Sequence, residues 1–119
     1  MKTYLECIPC FMHQAYRTAK LATDDDHKIK TVLDSVGEMI KNISMESTPP
    51  ETGNFIYHTI REVTNNNDPY LNIKQKNINE ALSLYPELKK LIKDSDDSLL
   101  TAIRIAIAGN VIDLGVSKK

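Results

Sequence analysis

The residues best equipped for chemistry sit near the two ends of the chain. Close to the start, Cys7-Ile8-Pro9-Cys10 places two thiols three positions apart, and His13 follows after three more. A thiol at a helix N-terminus has its thiolate stabilised by the dipole, and Cys-X-Pro-Cys occurs in redox proteins. Thioredoxin-type use also needs flanking strands, and no strand pattern surrounds this one. Structural zinc needs four ligands, and the chain holds two cysteines. His13 supplies a third and leaves that set incomplete. Two small apolar side chains in a core explain the same pair without any chemistry. Near the other end, Gly109-Asn110-Val111-Ile112-Asp113 follows a strongly apolar run. Asn110 suits a helix N-cap with Asp113 three positions on. The same two groups beside a helix N-terminus also suit an oxyanion or a divalent cation.

Between these ends, Asp68-Pro69-Tyr70 reads as a helix start, with Asp68 as its cap. Lys74 lies one turn beyond Tyr70, so Asp68, Pro69, Tyr70 and Lys74 are candidates for presenting polar groups to a cleft. His27 and His58 stand without a recognisable Ser or Cys nucleophile. The chain has four glycines and neither a phosphate-binding loop nor a dinucleotide fingerprint.

Positioning these groups falls to helices. Met12, Ala15, Ala19 and Ala22 recur at helical spacing after a start near Pro9, where the first-turn proline costs no hydrogen bond. Thr3 and Glu6 have capping-box spacing, but an earlier start would place Pro9 inside the helix. A second helix follows Asp24-Asp25-Asp26, whose charges favour a helix N-terminus, and turns Ile29, Val32, Leu33, Val36, Ile40 and Ile43 inward. The third runs from about Pro50 to Val63, buries Ile56 and Ile60, and closes at Asn65-Asn66-Asn67. A fourth starts at Asp68-Pro69, turns Leu71, Ile78, Ala81, Leu82 and Tyr85 inward, and is predicted to break at Pro86 before a shorter helix carrying Leu88, Leu91 and Ile92. The fifth starts near Ser95, buries Leu99, Leu100, Ile103 and Ile107, and stops at Gly109. The reading is an all-α bundle of five or six helices, forming a single helical domain over residues 1–119.

Composition narrows the classes. At 119 residues and 41% hydrophobic, the chain can bury one moderate core. Its net charge of −1 lacks the clustered Lys and Arg of a nucleic-acid partner. No run approaches a membrane span, since Arg104 interrupts the longest apolar segment. Glu6 and Pro9 fall where the apolar part of an export signal would run, so a cytoplasmic protein is expected.

Taken in order, "CIPCFMHQA", "PPE", "DPYLNIKQKN" and "DSLLTAIRIAIAGNVID" resemble the N-terminal part of the damage-control phosphatase family, in its prokaryotic Cys-X-X-Cys subgroup. The resemblance spans nearly the whole chain. It implies a metal-dependent phosphatase acting on phosphorylated metabolites such as sugar phosphates, with Mn, Mg, Co or Ni as the divalent metal. It also implies an N-terminal helical region joined to an α/β catalytic domain, whose Asp-Asn-X-Gly-Glu motif helps to bind the metal. No such motif occurs in these residues. The expectation is therefore an N-terminal fragment, a truncated product or an expressed piece, that is inactive alone and has no cofactor of its own. Asn110 and Asp113 then fall on the substrate side, with Asp68 and Lys74 as further candidates. Cys7, Cys10 and His13 are the weak metal candidates. The expected partner is the α/β half, or a second copy covering the face that half would occupy. Two other readings stand beside it: a freestanding helical interaction module, and a small Cys-based metal or redox protein.

Overall fold

The computed structural model describes residues 1–109, so Asn110 and Asp113 lie outside the described residues. Five helices and no strand occur among them: α1 (Cys7–Ala22), α2 (Asp26–Lys41), α3 (Pro49–Thr64), α4 (Leu71–Asp94) and α5 (Ser98–Gly109). The chain divides into two compact units, residues 1–72 and 73–119.

In the first unit α1, α2 and α3 each pack against the other two. The amphipathic spacing explains why. Ala15 and Ala19 of α1, Ile29, Val32 and Val36 of α2, and Ile56 and Ile60 of α3 are all buried. Met12, Ala22, Leu33, Ile40, Ile43 and Val63 pack around them, half-buried. Small side chains at Ala15 and Ala19 let the neighbouring helices approach closely, and Phe11 fills the remaining space beside them.

The helix ends are set by local chemistry. α1 begins at Cys7, two residues before Pro9, which corrects the expected start. Pro9 still lies in the first turn, where backbone N–H groups have no intrahelical acceptor, so no bond is lost. Thr3 does not cap this helix. Its hydroxyl donates to the Ser47 carbonyl at 2.6 Å and its N–H to the Met45 carbonyl at 3.1 Å, tying the N-terminal segment to the α2–α3 loop. Asp25 caps α2 by accepting from the N–H groups of His27 at 2.9 Å and Lys28 at 3.4 Å. α3 opens with a Thr48–Glu51 capping box and closes on Asn65 in the left-handed region at φ 54°. Asparagine tolerates that conformation better than most residues because its side chain hydrogen-bonds locally.

The second unit holds α4 from Ile73 onward and α5. Here the sequence reading needs correcting. α4 runs unbroken through Pro86, which the sequence predicts as a break. A proline there removes the i+4 donor for the Leu82 carbonyl, but the turns on either side remain helical. α5 begins at Ser98 and not Ser95, because Asp97 is the capping group and accepts from the Leu100 N–H at 2.9 Å. Leu71, Ile78, Leu82, Tyr85, Leu91, Leu99, Leu100, Ile103 and Ile107, turned inward by the spacing, are exposed. Their helices carry the pattern of a buried face, yet neither buries a residue among those described.

Candidate functional site

A polar cluster of the first unit forms where the α3–α4 connection returns to α1. Asn65 reverses the chain, and Asn66 then makes an Asx-type turn in which its Oδ1 accepts from the Asp68 N–H at 3.1 Å. Its amide donates to the Ala22 carbonyl at the C-terminal end of α1, at 3.3 Å. Pro69 is buried behind this turn. The turn therefore fixes where Asp68 and Tyr70 stand relative to α1 and α3.

Asp68 is half-buried, and its Oδ1 accepts from the Tyr70 N–H at 3.1 Å and from the Tyr57 hydroxyl at 3.2 Å. The Tyr57 and Tyr70 rings stack with centroids 6.4 Å apart, and the Arg61 guanidinium lies 5.9 Å from the Tyr57 ring centre. Beneath them, the hydroxyls of Thr18 and Tyr70 share a 2.6 Å hydrogen bond. Thr18 is buried, and this bond satisfies its hydroxyl away from water. One carboxylate, two stacked phenols and one guanidinium thus stand on a rigid helix-and-turn frame. Such a surface can donate hydrogen bonds and present positive charge at its rim.

Of the residues proposed from sequence, Asp68 and Tyr70 are drawn into this cluster. Lys74 is exposed in the second unit. Cys7 is half-buried against the core, with the Tyr4 N–H 3.5 Å from its Sγ, while Cys10 and His13 are exposed. Among the described residues no three His, Cys, Asp or Glu side chains gather in a way that could hold a metal ion. Thr18, Tyr57, Arg61 and Asn66 were not singled out from sequence. The only local hint is Asn66 two positions before Asp68, the spacing of an Asx turn.

Two hollows flank the first unit. One of about 780 Å³ lies between α2 and the start of α3, with Met39, Ile43 and Phe55 as its apolar part and Ser47 and Thr52 beside them. Glu51 also lines it. The Thr48 backbone N–H and then the Thr48 side chain hold its carboxyl below the ordinary glutamate value, so this carboxylate serves the helix cap. The other, of about 240 Å³, is polar and lined by His58, Arg61, Glu62, Asn65 and Asn67. His58 and Glu62 pair within it at 3.2 Å.

A helical chain whose Asp-Pro-Tyr turn is anchored in this way matches the damage-control phosphatase ARMT1-like domain over residues 3–119, and the chain belongs to that family. A protein named damage-control phosphatase from Archaeoglobus fulgidus is 31% identical over 117 residues, covering 98% of this chain and 41% of that protein. One of the same name from Pyrococcus horikoshii is 29% identical, covering 98% and 40%. An uncharacterized protein of Methanocaldococcus jannaschii is 33% identical over 113 residues, covering 92% and 37%. The chain thus spans about two fifths of the length of these curated relatives. No solved structure matches it. No described helix is long and apolar enough to cross a membrane.

Proposed function

We propose that this chain is the helical part of a cytoplasmic, metal-dependent damage-control phosphatase that hydrolyses phosphorylated metabolites such as sugar phosphates. The observation that carries the reading is the family match over residues 3–119, in a chain that spans about two fifths of its relatives. The sequence supports the division of labour, since it holds no Asp-Asn-X-Gly-Glu motif. In this reading the divalent metal is held by residues of the α/β half, and the helical part contributes substrate-side groups. Asn110 and Asp113 are the first candidates, with Asp68 and Lys74 behind them. A metal phosphatase works by fixing a cation on the phosphoryl oxygen and positioning a water. Residues 1–119 alone then have no turnover.

The test compares the 119-residue chain with a version extended through the family's α/β half. Each is assayed on p-nitrophenyl phosphate and sugar phosphates with Mn²⁺, Mg²⁺, Co²⁺ or Ni²⁺. The extended protein is active, the short chain is not, and Asp113→Ala or Asn110→Ala in the extended protein lowers activity more than stability. Robust metal-dependent turnover by the short chain overturns the division of labour.

A further inference from the structure

The first turn of α1 holds both cysteines of the chain, and the phosphatase reading gives them no task. Filling the core explains one of them. Cys7, the first residue of the helix, is half-buried against the three-helix core, and the Tyr4 N–H lies 3.5 Å from its Sγ. Cys10, the fourth residue, is exposed. Free cysteine is among the most buried of residue types, so packing does not account for a thiol turned to water. Its distance from Cys7 does. Residues three apart in an α-helix have Cα atoms about 5 Å apart, as the rise and radius of the helix require. That lies inside the range of about 4.4–6.8 Å that a disulfide spans. The Cβ atoms of such a pair stand about 5–6 Å apart and must close by about 1–2 Å. Only the entry to the helix has to give. There the Cys7 N–H donates to the Tyr4 carbonyl at 3.0 Å and the Ile8 N–H to the Leu5 carbonyl at 3.1 Å, both bonds of the tighter i→i−3 kind. Pro9, between the thiols, is exposed and has no N–H to lose.

We propose that Cys7 and Cys10 are a reversible modification site, a dithiol that a small-molecule disulfide of the glutathione class oxidises to a disulfide within α1. Cys10, the accessible thiol, gives its proton to solvent and attacks one sulfur of the small disulfide as a thiolate. The small disulfide's S–S bond breaks, a mixed disulfide forms on Cys10, and the first small thiolate leaves. Cys7 then loses its proton and attacks the Cys10 sulfur. The Cys7–Cys10 bond forms, the mixed disulfide breaks, and the second small thiolate leaves. Two protein thiols are oxidised, and one small disulfide is reduced to two thiols once the leaving thiolates take up the two protons. The half-burial of Cys7 suits the second role, since it has only to meet a sulfur one turn away. An exposed disulfide closing a single turn belongs to the readily reduced class, so excess thiol reverses the step. The proposal rests on the two thiols and their turn alone, so its fate and that of the phosphatase reading are independent.

The test holds the 119-residue chain in mixtures of reduced and oxidised glutathione, then quenches it with an alkylating reagent and counts thiols. Under excess oxidised glutathione the two free thiols of the wild-type chain fall to none. The tryptic peptide of residues 3–17, which holds both cysteines, is then lighter by two hydrogens. Dithiothreitol restores both thiols. Cys7→Ser removes the resolving thiol and accumulates the mixed disulfide of Cys10 with glutathione, while Cys10→Ser is modified more slowly. Circular dichroism checks that the serine variants keep their helices, and the wild-type peptide map decides the matter if they do not. Thiols that stay free throughout overturn the proposal. So does a wild-type chain that stops at the mixed disulfide, or one that links two copies covalently in place of closing the turn. Faster modification of Cys10→Ser than of Cys7→Ser overturns the order of attack.

Discussion

The two units hold similar helical patterns and opposite burial. Ile56 and Ile60 in α3 are shut away from water, while Ile103 and Ile107 in α5 are about half or more exposed. The difference does not lie in helix propensity or in spacing. α1, α2 and α3 each meet two partners, so each apolar stripe has somewhere to go. α4 and α5 have more apolar surface than their unit can cover. A hydrophobic stripe therefore fixes that a helix must be covered, and leaves open by what.

The sharpest way to break this contrast is to cut into the buried side. Ile60→Ala should destabilise the first unit by about 2–5 kcal/mol, the range for emptying a fully buried aliphatic site, measured by urea unfolding. A loss near that of a surface substitution would mean the three-helix core is looser than its burial indicates. The next test changes α4 from within. Pro86→Ala should gain about 1–3 kcal/mol of helix stability, read as a rise in the transition of the second unit, because it restores one hydrogen bond and removes a ring clash.

Tyr70→Phe leaves the buried Thr18 hydroxyl without its partner, at a cost of about 1–2 kcal/mol. Replacing Thr18 by Val in the same protein should recover part of that loss, since both polar groups are then gone. A double-mutant cycle with no coupling would remove the bond from the account. Leu99→Ala belongs to the exposed side, at 73% exposure, and should shift stability in dilute solution by no more than about 0.5 kcal/mol. A loss comparable with that of Ile60→Ala would show that the second unit hides a core.

The smallest effect concerns acid. The Glu51 carboxyl is held below its ordinary value by Thr48, so its contribution is present above the unfolded value near 4.5 and fades as pH falls through the lower folded value. Glu51→Gln should therefore narrow the stability difference between neutral and acidic solution, with the two proteins converging at the acid end. An unchanged difference across that range would detach the cap from the titration.

Much of the first unit was legible in the chain itself. The acid run before α2, the prolines and Glu51 at the start of α3 and the asparagines that close it act through backbone groups a few residues away, so local sequence suffices. The buried stripes of α1 to α3 were readable because spacing near 3.6 gathers residues on one side of a helix wherever that helix lies. The candidate site was legible at Asp68 and Tyr70 alone. The bonds that build it join Thr18 to Tyr70 and Ala22 to Asn66, partners 52 and 44 positions apart. No local pattern encodes a pairing across that distance.

By itself, then, the sequence determined the all-helical class, the approximate places of the first three helices with their buried faces, and the family. Tertiary structure decided that Pro86 sits inside a helix, that Thr3 ties down a loop and does not cap α1, and that Leu82, Leu100, Ile103 and Ile107 face water. The physical reason is common to all of these. Spacing and caps are settled within a turn or two of one helix, whereas burial requires a second surface, and the sequence of a helix does not state whether that surface is there.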